Sequence, residues 1–425
     1  MHMPGAAADR AIVNPAALTQ LAWERLQPES WPLPRQAFPT GAALVGGAVR
    51  DALLNRLSAM PDLDLVVEGD AVQLCRQLSR RHGGRAVVLD RERSIARLVI
   101  QGWSIDLARR DGATLEADLR RRDYTINAMA LPLEAEAELL DPLGGLQHLR
   151  DGVLVAVAEQ NLLDDPLRLL RGLRLTAELG FQLEQRTQGW VAQHHGALEG
   201  VAGERVLAEL EKLAAAPHGE QELGRCLALQ MLSPWGSSGR GDWLQRCSEA
   251  NATALELTAA ERSTVLPIAR LAASLSATSL GQLNSSRKLQ QRVERLRYWQ
   301  ERLGGANAGP AAESLPDAER LRLHRELEAD LPALLLGWPP ANARPWLQRW
   351  RDPADALFHP RPAIDGITLQ RELGISASPE LGQLLQHLML EQAFGRLNSP
   401  ADALQEAQQW LESPHLRSEA APRRD

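Results

Sequence analysis

The spacing of apolar residues changes once along this chain of 425 residues, and that change limits the fold more than any single motif. Between residues 41 and 155 the apolar runs are short and bounded by turn formers: Ala43–Val45, Leu63–Val67, Ala86–Leu89, Arg97–Ile100 and Ser104–Leu107. Such runs read as strands, with helical spacing between some of them, notably over Ala71–His82. From about residue 162 apolar side chains recur at the spacing of amphipathic helices, broken by Gly, Pro and Ser at 233–241, 303–316 and 338–345. The pattern predicts an α/β head followed by an all-helical remainder. Residues 1–40 predict one helix, from Pro15 to about Leu26, and a Pro-rich approach.

A chain of this length exceeds what one compact core accommodates, so two or more domains are expected. Its net charge of −7 argues against an unspecific nucleic-acid binder. The distribution matters more than the sum: Lys212 and Lys288 are the only lysines, and arginines cluster at Arg80-Arg81, Arg109-Arg110 and Arg120-Arg121-Arg122. No apolar run reaches the ~18 residues of a membrane span, and the N-terminal segment has no basic region leading into an apolar one. Cys75, Cys226 and Cys247 stand in no metal-binding pattern. A cytoplasmic protein with reduced thiols and no membrane association is expected.

Residues 44–64 carry the first chemical signal. Gly46 and Gly47 permit close approach of backbone N–H groups to an anion, and Arg50-Asp51 follows them. Asp62 and Asp64 alternate with Leu63 and Leu65, so on a strand both carboxylates project from one face while the leucines enter the core. Two adjacent carboxylates repel, and a shared divalent cation relieves the repulsion. Asp106, at the end of the run WSIDL, is a candidate third carboxylate.

Two further segments bear polar residues at telling intervals. In ADLRRRDYTINAMAL, Arg121, Arg122, Asp123 and Asn127 precede an apolar stretch read as a helix. Asp123 suits either its N-cap or, with Asn127, hydrogen bonding to a ribose, while arginine binds phosphate. In DDPLRLLRGLRL, Pro166 suits the first residue of a helix, which makes Asp165 the N-cap and sets Arg168 one turn on, with Arg171 and Arg174 extending the stripe. The segment is a capped helix with a solvated face, or a reader of nucleobase edges. A carboxylate beside a guanidinium matches the donor and acceptor order of cytosine and adenine and opposes that of guanine and uracil, with each good pairing worth roughly 1–3 kcal/mol.

Taken in order, these segments resemble the five motifs of the bacterial tRNA nucleotidyltransferase (CCA-adding) and poly(A) polymerase family, the class II branch of the polymerase-β-like nucleotidyltransferases. GGAVRD with DLD is similar to its first motif, RRDYTIN to its second, DPLGGLQHLRDG to its third, DDPLRLLRGLRL to its fourth and ERVLAELEKL to its fifth. A weaker likeness to the family's tail lies at 364–405.

The resemblance implies a nucleotidyltransferase head with a five-stranded sheet at 41–155, a neck at 156–225, a helical body at 226–360 and a tRNA-binding tail at 361–413, and the polar composition after Pro414 predicts a disordered end at 414–425. It implies Mg²⁺ on Asp62 and Asp64, with Asp106 nearby; triphosphate contacts from Gly46, Gly47 and Arg50; and ribose-side contacts from Arg122, Asp123 and Asn127. Asp165 and Arg168 would read the base, with Arg171 and Arg174 near the phosphates. The implied partners are tRNA, CTP and ATP. Asp164-Asp165 stands where the family has Glu-Asp. Only LARRDGATLEADLR separates Asp106 from Arg121, where members that complete CCA carry a longer flexible segment, so addition of CC alone is expected. The alternatives are a poly(A) polymerase, whose long basic tail is missing from the ending APRRD, and an inactive RNA-binding paralogue, which would have lost a carboxylate.

Overall fold

A computed structural model describes residues 15–237, 239–305 and 307–412, and the chain divides into two compact units at Val201/Ala202. The first unit opens with α1 (Pro15–Leu26). It then builds a sheet from β1 (Ala43–Val45), β2 (Leu63–Val67), β3 (Arg85–Asp90), β4 (Ile95–Ile100), β5 (Trp103–Arg109) and β6 (Ala130–Pro132) in the order β3-β4-β5-β2-β1-β6. Between the strands lie α2 (Gly47–Leu53), α3 (Ala71–His82) and α4 (Leu115–Leu119). The β2–β5 pairing is parallel and the others are antiparallel, which suits the helical crossover α3 between β2 and the β3–β5 meander. Asp70 caps α3 by accepting from the N–H groups of Val72 and Gln73 at 2.9 and 3.1 Å, and the helix packs against β3, β4 and β5.

Register aligns the chemistry. Asp64 on β2 pairs with Asp106 on β5, which pairs with Arg97 on β4; in the other direction Asp64 pairs with Val45, and Val45 with Ala130. Residues paired across strands share a face. The polar row is therefore continuous with the buried cluster of Ala43, Val45, Val66, Leu119, Ala128 and Ala130. Leu63, Leu65, Ile105 and Leu107 point to the opposite face and are buried there.

The sheet has one strand more than the expected five. The apolar run after Asp123 is not the predicted helix: Thr125–Asn127 forms a single 3₁₀ turn, and Ala130–Pro132 adds to β1 as the edge strand β6. The backbone donors of this segment bond outward, Thr125 to the carbonyl of Val155 and Ala130 to that of Leu140. A short apolar run fits either period, and pairing with β1 decided between them.

After α5 (Gly145–Asp151), α6 (Glu159–Asp164) and α7 (Leu167–Leu179) complete the part of the first unit that concerns the site. Pro166 takes the N-cap of α7, one residue later than expected, and Asp165 ends α6.

In the second unit, the described residues of 233–241 hold a 3₁₀ turn, Ser233–Trp235, before the helix that starts at Gly241. The other two expected breaks contain helix: Ala308–Glu313 lies inside one, and Pro340–Arg351 begins within the other because proline is tolerated in a first helical turn. ERVLAELEKL lies in the helix Gly203–Ala215. The C-terminal helices Gly366–Leu373, Pro379–Ala393 and Pro400–Glu412 enclose a cluster that includes Leu369, Leu384, Leu388, Ala407 and Trp410. The segment 414–425, expected to be disordered, lies outside the described residues. Among the described residues no helix is long and apolar enough to cross a membrane, and the three cysteines are free and buried.

Candidate active site

Asp64 and Asp106 stand side by side on the parallel strands β2 and β5. Asp62 lies one residue ahead of β2 and is exposed, so only one of the two expected strand carboxylates is inside the strand. Burial, then the negative fields of Asp106 and Asp62, push the Asp64 carboxyl up to about 6, against the opposing pull of Arg122 and Arg97. Arg97 grips Asp106 with a two-pronged ion pair, Nε to Oδ1 at 2.7 Å and Nη2 to Oδ2 at 2.8 Å, and this bond raises the pKa of the guanidinium. Among the described residues no three Asp, Glu, His or Cys side chains converge on one point as a ready-made metal cage. The donors are nevertheless all hard oxygens, and a divalent ion held by one or two carboxylates takes its remaining positions from water and substrate phosphate.

The glycine turn faces this row. Gly46 has φ of 74°, a left-handed conformation that glycine adopts without strain. A Cβ there would lie 3.3 Å from Oδ2 of Asp64 and 3.7 Å from Nη1 of Arg122, so the turn, the half-buried carboxylate and the guanidinium are immediate neighbours. Arg122 is held from behind by Asp118, whose Oδ2 accepts from Nε and Nη2 at 3.2 and 3.0 Å.

A hydrogen-bonded chain links the expected phosphate and ribose residues. Arg50 binds both oxygens of Asp51 at 2.9 Å and donates through Nη1 to Oδ1 of Asn127 at 2.7 Å. Asn127 donates to Oδ1 of Asp123 at 3.3 Å, and Nη1 of Arg171 reaches the other Asp123 oxygen at 3.3 Å. Burial raises the pKa of Asp123, but Arg171, the Tyr124 N–H, Arg168 and Asn127 outweigh it and hold the carboxyl below its ordinary value. An ionised Asp123 offers acceptors only, which suits the donor hydroxyl of a ribose.

On α7 the arginines at 168, 171 and 174 are half-buried rather than solvated. Nη1 of Arg168 donates to the carbonyls of Asn161 at 2.8 Å and Arg121 at 3.1 Å, while Arg174 binds both oxygens of Glu178. Tyr124 donates to the Arg168 carbonyl at 2.8 Å, and a Cβ on Gly172 would lie 2.0 Å from the Tyr124 hydroxyl oxygen, so only glycine fits beside that ring. The structure thus brings Arg168 and Arg171 against the Arg121–Tyr124 segment, whereas Arg174 pairs within its own helix.

Three supporting side chains were not singled out from the sequence. Arg97 could have been found by counting: a two-residue turn at Gln101-Gly102, where both residues have positive φ, pairs residue 97 with 106. Asp118 and Asn161 carry no such signal. Asn161 donates through Nδ2 to the carbonyls of Arg120 and Arg122 at 2.9 and 2.7 Å.

The connection after β5 is short and tied. The Arg110 N–H donates to the Val67 carbonyl at 2.7 Å, its guanidinium pairs with Glu68 at 2.7 Å, and Arg121 pairs with Asp111 at 2.9 Å. Thr114 caps α4 by accepting from the Ala117 N–H, so only residues 110–114 span from β5 to helix.

Comparison with known proteins locates a poly(A) polymerase head domain at residues 42–155. A CC-adding tRNA nucleotidyltransferase of Synechocystis is 34% identical over 392 residues, covering 88% of this chain and 94% of that protein. A CCA-adding enzyme of Streptococcus thermophilus is 28% identical over 375 residues, covering 81% and 87%. Among solved structures, the Thermotoga maritima CCA-adding enzyme complexed with tRNA has a TM-score of 0.68 at 23% identity, covering 93% of this chain and 98% of that one, a likeness of fold.

Proposed function

The chain belongs to the tRNA nucleotidyltransferase family, and from that premise we propose that it adds cytidylate to the tRNA 3′ end from CTP, releases pyrophosphate, and stops at CC. Asp62 and Asp64, with Asp106 alongside, are the residues that would hold a divalent cation, and their all-oxygen donor set suits Mg²⁺. Such an ion, when bound, acidifies the attacking 3′-hydroxyl and neutralises charge on the triphosphate.

The remaining roles fall to side chains. The Gly46-Gly47 turn and Arg122 border the place where phosphate meets the carboxylates, and Arg50 holds Asn127 in line with Asp123 for the ribose. Arg168, fixed by two backbone carbonyls, and Asp165, which ends α6 two residues ahead of α7, form the base-reading pair. Arg171 keeps Asp123 ionised. The reaction needs no side-chain nucleophile, and the three buried thiols take no part.

One observation carries the restriction to CC: only residues 110–114 connect β5 to α4, where the family resemblance implies a longer flexible segment in members that complete CCA. A relative of nearly full coverage that is named CC-adding supports the same reading. The test supplies tRNA ending at its discriminator base with each labelled nucleotide in turn, and tRNA ending in CC with ATP. Two cytidylates from CTP are expected, with A added at least about a hundredfold more slowly than C, a difference near 3 kcal/mol in barrier. Comparable rates for A and C make it a complete CCA-adding enzyme; a long adenylate tail makes it a poly(A) polymerase.

A further inference from the structure

Asp118 has no part in the machinery proposed above, yet it is a carboxylate only 7% exposed, and its two oxygens serve different segments. Oδ1 accepts the N–H of Asp111 at 2.9 Å, which fixes its rotamer from the 110–114 connection. Oδ2 accepts Nε and Nη2 of Arg122. Local structure does not call for a carboxylate here, since Thr114 already caps the five-residue helix. Burying the charge costs free energy that its charge-assisted bonds must offset.

The edge by which Arg122 is held determines what it can offer. With Nε and Nη2 committed to Asp118, Nη1 is the nitrogen left on the side of Gly46, near Asp64. A flexible arginine held along one edge loses most of its freedom before substrate arrives, and a planar fork so oriented presents its donor in one direction.

We propose that Asp118 is a positioning residue that aims Nη1 of Arg122 at the phosphates of the incoming nucleotide. The proposal rests on the reading that the Gly46–Asp64 region receives the nucleotide. Asp118→Asn keeps an acceptor for the Asp111 N–H and removes the charge that faces Arg122. In the full chain it should raise KM for CTP about tenfold while kcat at saturating CTP falls less than about threefold and KM for tRNA is unchanged.

Arg122→Gln should show the same split, and the double variant should be no worse than Arg122→Gln alone, because the carboxylate then has nothing to aim. An unchanged KM for CTP in Asp118→Asn overturns the proposal, and so do losses that multiply in the double variant. Thermal melts establish that each variant is folded. If the Asn variant does not fold, Asp118→Glu, which keeps the charge but moves it by one methylene, is read on the same split and the same cycle. Failure of the unaltered protein to extend tRNA with CTP would instead strike the function proposed above.

Discussion

Arg270 in the helical unit and Asp64 in the α/β unit are both charged side chains drawn out of water, and their surroundings follow opposite plans. Arg270 is fully buried, and its guanidinium is used up. Nε donates to the Cys247 carbonyl, Nη1 to those of Ala214 and Ala216, and Nη2 to Glu220 at 2.6 Å. Two of those carbonyls lie at the C-terminal end of Gly203–Ala215, where helix carbonyls lack partners of their own and a cation is favoured. Asp64 instead sits beside two more carboxylates that lift its pKa, next to a glycine turn that leaves its Oδ2 approachable. A buried charge whose bonds are all made internally staples a fold. One whose neighbouring carboxylates are only partly offset, here by Arg122 and Arg97, is poised for a ligand.

The sharpest way to break this comparison is to delete the carboxylates. Asp62→Ala and Asp64→Ala, made separately, should each lower nucleotide incorporation by at least about a thousandfold, some 4 kcal/mol of barrier, while tRNA affinity and melting temperature hold. Retention of activity within about tenfold in either variant removes the pair from the chemistry. Arg270→Ala should do the converse. It takes the guanidinium from Glu220 and from the carbonyls of Cys247 and Ala214, and urea unfolding should show a loss of about 3–5 kcal/mol in the helical unit with nucleotide selectivity intact. A loss below about 1 kcal/mol would show that the staple is dispensable.

The smallest effect concerns pH. His324 is fully buried between Trp346 and Phe358, at ring-centroid distances of 5.2 and 4.1 Å, and neither ring nitrogen has a hydrogen-bond partner among the described residues. Burial, then the positive fields of Arg320 and Arg349, push its pKa down to about 3, opposed by Asp355. The unfolded chain, with a pKa near 6.5, takes up the proton first. The stability that the neutral ring provides is therefore complete above about pH 6.5 and declines as pH falls toward 3, by at most about 1.4 kcal/mol per pH unit. Melting of His324→Phe between pH 7 and 4.5 should show a shallower acid dependence than the unaltered chain, and equal slopes would place the acid sensitivity elsewhere.

Much of the head was legible because its signals are local. The helices Pro15–Leu26 and Ala71–His82 have the bounds that spacing predicts, and Asp70 and Gly83 mark the ends of the second. Period-two alternation put Asp64 on a strand, though not Asp62, and a short bounded apolar run did the same for Asp106. The apolar run after Asp123 was misread because three residues of strand carry no distinguishing period, and the backbone partners that settled the matter lie on β1 and near Leu140. The solvated-face reading of α7 failed for a related reason. Arginine spacing shows which side chains share a stripe, but not that carbonyls of Asn161 and Arg121 and the carboxylate of Asp123 come to meet it.

By itself, the order of residues determined the alternation of strands and helices in the head, the helical character of the rest of the chain, and the identity of the carboxylates, glycines and arginines available for chemistry. Those properties depend on backbone periods and on residues a few positions apart. Tertiary structure alone decided that β2 and β5 run parallel in the register that sets Asp64 beside Asp106, that Asp118 holds Arg122 by one edge, and that Arg270 closes the end of a helix more than fifty residues away. Each of these is a contact between distant segments. Its geometry follows from how layers of side chains fill space and satisfy buried polar groups, which no local pattern encodes.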